Sequence, residues 1–286
     1  MPLPSNVTNQ LATAIHERRA ILFAGAGLSI SVGLPSWREL IVHMAEELGL
    51  GHEVGPQHGI SYHTLAEYYR ISTGSIGPLR SWMDRNWKIS ESAIRNSRLH
   101  ELIIGLDFPL IYTTNYDRNI ESAYEAHGLA YVKVSNARDI AHTNDRMTQI
   151  VKFHGDFEDD QSLVITETDY FNRLEFDSPL DIKFRSDALG KTVLFIGYSM
   201  NDMNIRLLLH KLWRTWQISG YERSRPRSFV FMSRADPIQE AVLAQWGLTA
   251  VTGESDDPEV SLTAFLTELH EQVSRLRRPE DHGAPA

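Results

Sequence analysis

The chain has 286 residues, 42% hydrophobic and 23% charged, which is long enough for a sizeable buried core. Its net charge of −9, with no basic stripe, argues against general nucleic-acid or anionic-membrane binding, because phosphates would be repelled. The absence of cysteine rules out disulfides, thiolate zinc sites and cysteine nucleophiles together, and fits a reducing compartment. The opening "MPLPSNVTNQ" has neither a basic n-region nor an apolar h-region, and no run reaches membrane-spanning length, so the cytoplasm is the expected location.

In chain order, Ser5 can cap a first helix running to about Arg19. Strands are expected at 20–24, 110–114, 131–134, 149–155, 192–197, 228–233 and 249–252. These runs are apolar and β-branched without strict alternation, as in parallel strands buried on both faces. Helical patterns separate them, so the fold class is α/β. Residues 41–105 and 156–190 carry few strand signals and read as a small helical module beside the sheet, with a cleft between. "RLRR" at 275–278 reads as a solvated helix end, and 279–286 as a disordered tail.

Four polar segments follow apolar strands, at the edge where α/β sheets place their ligands. "GAGLS" (25–29) would let a backbone approach a pyrophosphate, with helix N–H donors just beyond; the same residues also make a plain strand-to-helix turn. Ile30 stands where the dinucleotide fingerprint has its third glycine, which argues against an ordinary dehydrogenase. Downstream, Pro35 stiffens the turn, Ser36 can cap a helix, and Trp37 and Arg38 set a flat ring and a fixed charge near the pocket.

"TTNYD" (113–117) offers Asn115, whose neutral amide can orient a water or hydroxyl, and Asp117, which also suits a helix cap. His154, in "QIVKFHGDF", ends an apolar run; it is either a satisfied core histidine or a proton acceptor at neutral pH. "GYSMND" (197–202) repeats the logic of the first turn. His52, His58 and His63 cluster without a zinc-like spacing, so no metal site is expected.

Taken in order, "GAGLSISVGLPSWR", "TTNYD", the "HG" containing His154, and "GYS" followed by "NDMNIR" resemble the sirtuin family, in particular its bacterial NAD-cleaving branch in antiviral defence. The resemblance implies a Rossmann-like doubly wound parallel sheet with a small helical module, one domain over about 1–278. The sheet part would take about 1–40, 106–155 and 191–278. NAD would be the substrate, bound in the cleft and cleaved at the nicotinamide–ribose bond.

Carried over by position, Gly25, Ala26, Gly27 and Ser29 would line the cofactor turn, and Trp37 and Arg38 would close over it. Thr114 and Asp117 would join Asn115 at the nicotinamide ribose and carboxamide, and His154 would be the catalytic histidine. Gly197, Ser199 and Asp202 would support the phosphates and adenosine ribose. Three departures stand out: no cysteine is present for the zinc site of protein-deacylating sirtuins, Trp37 replaces the usual Phe, and Tyr116 the usual Ile. The implied activity is therefore NAD hydrolysis, with protein deacylation or non-catalytic NAD or ADP-ribose binding as alternatives. By analogy, control would come from homo-oligomerisation or a separately encoded partner such as a HerA-type ATPase.

Overall fold

The computed structural model describes residues 5–51, 60–144, 146–198, 200 and 202–278. Seven runs form strands β1 (Ala20–Ala24), β2 (Leu110–Thr113), β3 (Tyr131–Val134), β4 (Thr148–Lys152), β5 (Thr192–Ile196), β6 (Ser228–Met232) and β7 (Leu248–Thr252). They make one parallel sheet in the order β3-β4-β2-β1-β5-β6-β7. β1 pairs with β2 on one side and β5 on the other, so the winding reverses between β1 and β5. A reversal of this kind opens a crevice at the carboxyl ends of the central strands.

Every residue of β1, β2 and β4 is buried, so successive side chains serve two different cores. Leu22, Ile111, Ile150 and Leu194 meet helices α1 (Ser5–His16), α7 (Arg98–Leu106), α8 (Asn119–Ala126) and α14 (Pro258–Arg277). Phe23, Tyr112, Phe195 and Val230 meet α11 (Pro179–Gly190), α12 (Met203–Ser219) and α13 (Pro237–Gln245). Phe23 centres the second core, with the rings of Tyr112, Phe153, Phe184, Phe195 and Tyr198 between 5.1 and 5.9 Å away. A side chain of this size, fully buried, contributes about 1.5–3 kcal/mol by transfer alone.

A third core lies beside the sheet. Leu40, Ile41 and Met44 of α3 (Trp37–Glu47) pack with Leu65 and Tyr69 of α4 (Tyr62–Thr73) and Leu79 and Met83 of α5 (Gly77–Asn86), closed by Tyr116, Leu163 and Ile165. α7 and α11, which the sequence groups with this module, instead direct their apolar stripes into the two sheet cores. Arg277, expected to be solvated, donates to the carbonyls of Gly105 and Leu106 at 2.8 Å each. A cation is favoured there because unpaired carbonyls collect at the C-terminus of α7. The remaining α-helices among the described residues are α2 (Gly27–Ile30), α6 (Glu91–Arg95), α9 (Ala137–Ala141) and α10 (Glu167–Arg173). No helix among the described residues is long and apolar enough to cross a membrane. The segment 279–286 lies outside the described residues.

His100 of α7 is 1% exposed, and burial pushes its imidazole down to about 4, with the Asp117 carboxylate opposing. A histidine depressed in this way holds no proton in the fold when the unfolded chain already does. Its contribution is therefore complete above about pH 6.5 and shrinks as pH falls toward 4. Unfolding free energy should drop by about 1.4 kcal/mol per pH unit across that window for this one group. Denaturant midpoints between pH 7 and 4.5 check this: His100→Asn should show a shallower acid slope than the wild type, and equal slopes would contradict it.

Candidate active site at the sheet crevice

The turns after β1 and β5 are packed against each other. A Cβ on Gly25 would stand 2.6 Å from the Gly197 carbonyl oxygen, and one on Gly27 would stand 2.9 Å from the Gly197 Cα. Gly197 itself has φ +68°, the left-handed region that favours glycine. The Gly25 amide donates to Ile196 O at 2.9 Å and the Gly27 amide to Gly197 O at 3.0 Å. These glycines are thus required by the contact between the two turns, and α2 is a single helical turn. Ile30, at the fingerprint's third-glycine position, is 49% exposed at the rim.

Between this crevice and the helical module lies a cavity of about 520 Å³. Of the residues anticipated from the sequence, Ala26, Trp37, Thr114, Asn115, Asp117, His154, Gly197 and Asp202 line it. Gly25 and Ser29 act from beneath, through hydrogen bonds to Asn115. Gly27 borders an adjacent cavity of about 480 Å³ that shares Gly197, Tyr198 and Ile30 with the first. Arg38 is exposed and is not part of either wall, because one step along a helix turns a side chain by about 100° from its neighbour. Ser199, His52 and His58 lie outside the described residues.

The floor is a fixed polar chain. Asn115 Nδ2 donates to Gly25 O and to Ser29 Oγ, both at 3.1 Å, and Ser29 Oγ donates to Asp117 Oδ2 at 2.8 Å. A backbone carbonyl can only accept, so the amide nitrogen must face Gly25. Both amide protons are committed inward, which leaves Oδ1 of Asn115 to accept from a cavity occupant. Asp117 Oδ1 accepts the Asn119 amide at 3.0 Å, so it serves the first amide of α8 from one residue before the N-cap, which is Arg118 and not Asp117 as the sequence suggests. Its backbone carbonyl is held by Lys152 Nζ, and Lys152, fully buried, lies 3.3 Å from the equally buried Glu121.

His154 lies two residues beyond the end of β4, because the expected strand 149–155 stops at Lys152. The chain turns at Gly155, φ +96°, where a Cβ would come within 2.2 Å of the Ser162 carbonyl oxygen. Gly155→Ala should therefore cost about 1–3 kcal/mol of strain or more and displace His154. A fall in denaturant midpoint with matching loss of activity would bear this out, and wild-type values for both would contradict it.

His154 is 2% exposed, and its Nε2 has no hydrogen-bond partner among the described residues. Burial holds its imidazole well below the usual histidine range, reinforced by the Arg173 guanidinium and by His63. The ring is neutral at physiological pH and can accept a proton. Arg173 also donates to the Phe153 carbonyl at 2.8 Å, fixing the peptide just before it.

The opposite wall comes from the helical module. Trp37 opens α3 behind its N-cap Ser36, whose amide donates to Glu39 Oε2 at 2.6 Å. Tyr116 is buried and donates to Val164 O at 2.8 Å, which explains an aromatic at that position. Tyr198, within the anticipated "GYSMND" segment, also lines the cavity, as do His63 and Tyr170, which sequence reasoning did not place there. Tyr170 OH lies 3.4 Å from Asp202 Oδ2, Tyr198 OH 2.6 Å from Thr114 Oγ1. Asp202 caps α12 through the Asn204 and Ile205 amides, yet burial raises its carboxyl above the usual range.

A model of the SIR2-like domain matches residues 109–251. The chain is 37% identical over 205 residues to "NAD(+) hydrolase ThsA" of Enterococcus faecium, covering 70% of this chain and 41% of that protein. It is 31% identical to "NAD(+) hydrolase ThsA" of Bacillus cereus (strain MSX-D12), covering 78% and 44%. It is 25% identical to "Defense-associated sirtuin 2" of Bacillus subtilis, covering 82% and 23%. The chain thus spans less than half the length of these relatives. With the family model covering half of its residues, including the segments that carry Asn115, Asp117 and His154, the chain belongs to the SIR2-like family.

Proposed function

We propose that the protein hydrolyses NAD+ at the nicotinamide–ribose bond, releasing nicotinamide and ADP-ribose, and that it depletes NAD+ in antiphage defence. The observation that carries this reading is the buried Nε2 of His154, without a hydrogen-bond partner among the described residues, in the same cavity as Asn115 and Asp117. An unpaired buried polar atom costs about 1–3 kcal/mol, a cost that a substrate hydroxyl would offset. Relatives named NAD(+) hydrolase support the substrate.

When the glycosidic bond breaks, its electron pair goes to the pyridinium nitrogen and positive charge builds at ribose C1′. The Asp117 carboxylate, held by Ser29, would oppose that charge where water is scarce and Coulomb terms are strong. Trp37, Tyr116 and Tyr170 would exclude bulk solvent. Asn115 Oδ1 would orient a hydroxyl or water, and His154 would accept a proton from one of them. The net change is NAD+ plus water to nicotinamide, ADP-ribose and a proton. The same proposal places the protein in the cytoplasm, as a homo-oligomer or under a separately encoded ATPase of HerA type.

The test is incubation with NAD+ with and without an acetyl-lysine peptide. Free ADP-ribose in both, with the peptide mass unchanged, is the expected outcome. Acetylated ADP-ribose formed only with peptide would make the protein a deacylase and contradict the proposal.

A further inference from the structure

His63 enters the cavity from α4, on the wall facing the sheet, and nothing in the polar floor accounts for it. Its Nδ1 lies 3.1 Å from the Ile165 carbonyl oxygen. That oxygen can only accept, so Nδ1 carries the proton and Nε2 of the neutral ring carries the lone pair. Nε2 makes no hydrogen bond among the described residues.

The ring is held rigidly. It lies against Tyr170 at 3.7 Å between centroids, tilted by 32°, and meets the Trp37 ring edge-on at 6.2 Å. α4 and α10 are also tied together by Thr64 Oγ1 to Glu167 at 3.0 Å and by the Thr168 amide to Glu67 at 2.9 Å. Tyr170 lies between the two cavity histidines, with its ring 5.6 Å from that of His154. The two imidazoles, separated by a tyrosine ring, reach the cavity from different sides: His154 from two residues beyond the end of β4, His63 from the first turn of α4 in the helical module.

Resting on the proposed NAD+ cleavage, we infer that His63 is a second catalytic residue, whose Nε2 accepts the proton of the attacking water while His154 serves a ribose hydroxyl. The water oxygen bonds to C1′ and the pair of the C1′–N bond leaves with nicotinamide. The water proton passes to His63 Nε2 and from there to solvent. His63 therefore governs the attack of water, not the breaking of the glycosidic bond.

That distinction is measurable, because a pyridine base can recapture C1′ without any water. Hydrolysis is followed as ADP-ribose formation, and cleavage alone as exchange of nicotinamide for added 3-acetylpyridine. His63→Asn keeps a donor toward Ile165 O and removes the group at Nε2. It should lose about 10²–10⁴-fold in hydrolysis while base exchange stays at the wild-type rate. His63→Gln, whose amide can orient a water but cannot take its proton, should stay as low in hydrolysis as His63→Asn, and hydrolysis restored by it would overturn the proton-accepting role. Equal loss of both reactions in His63→Asn, or loss of neither, would overturn the assignment while leaving NAD+ cleavage standing. A wild-type protein that carries out neither reaction would overturn the NAD+ reading and this role with it.

Discussion

His154→Ala and Asn115→Ala should each reduce NAD+ turnover by about 10²–10⁴-fold, the usual worth of positioned acid–base help. For His154 the reason is specific. Its imidazole is buried, kept neutral by desolvation and the nearby Arg173, and its Nε2 has no partner among the described residues. A proton acceptor depressed below the usual range keeps working as pH falls, so activity should persist through pH 6.5 and decline only at lower pH. For Asn115, alanine removes the oxygen offered to the occupant and also leaves Ser29 Oγ and Gly25 O without their donor. Nicotinamide release across pH 5–8 checks both variants. Wild-type rates in either, or a wild-type acid limb centred at 6.5, would contradict these roles.

Lys152→Ala should be the most damaging change to the fold, at about 3–5 kcal/mol, the usual cost of stranding one member of a buried pair. Lys152 and Glu121 are both fully buried and 3.3 Å apart, and the Glu121 carboxyl is already raised by burial. Lys152→Met combined with Glu121→Leu removes both charges and should recover most of the stability. Activity should not recover, because Lys152 Nζ also holds the Asp117 carbonyl and so the loop bearing Asn115 and Asp117. Melting temperature and NAD+ turnover, measured together, separate the two effects. Full recovery of both in the double variant would show that the pair does nothing for the site.

Legibility followed the physics of each feature. Ala20–Ala24 was readable residue for residue because an apolar run bounded by polar turns has one buried solution, and Tyr131–Val134, a half-buried edge strand, was readable from its two valines and tyrosine. Asn115, Asp117 and His154 were readable because sheet-end polar residues after such strands converge wherever the winding reverses. Distances between elements were not readable. Gly25 and Gly27 suggest a phosphate loop in sequence, but their requirement here comes from Gly197, some 170 residues downstream, and only the β1–β5 pairing reveals it. That Arg38 points to solvent one helical step beyond Trp37, and that α7 and α11 turn their apolar stripes to the sheet cores, depends on directions that look alike in one dimension. His63 gave no usable signal, since its neighbours in sequence suggested only an unconvincing metal cluster, while its partners Ile165 and Tyr170 lie over a hundred residues away.

The central claim is that this cavity breaks NAD+ with water. The most direct test follows NAD+ chromatographically in the presence of the purified chain, alone and with the product of its neighbouring gene, without any peptide. The expected result is loss of NAD+ with nicotinamide and ADP-ribose appearing in equal amounts. Intact NAD+ in both mixtures, with tight binding seen by calorimetry, would contradict it and make the protein a binding subunit.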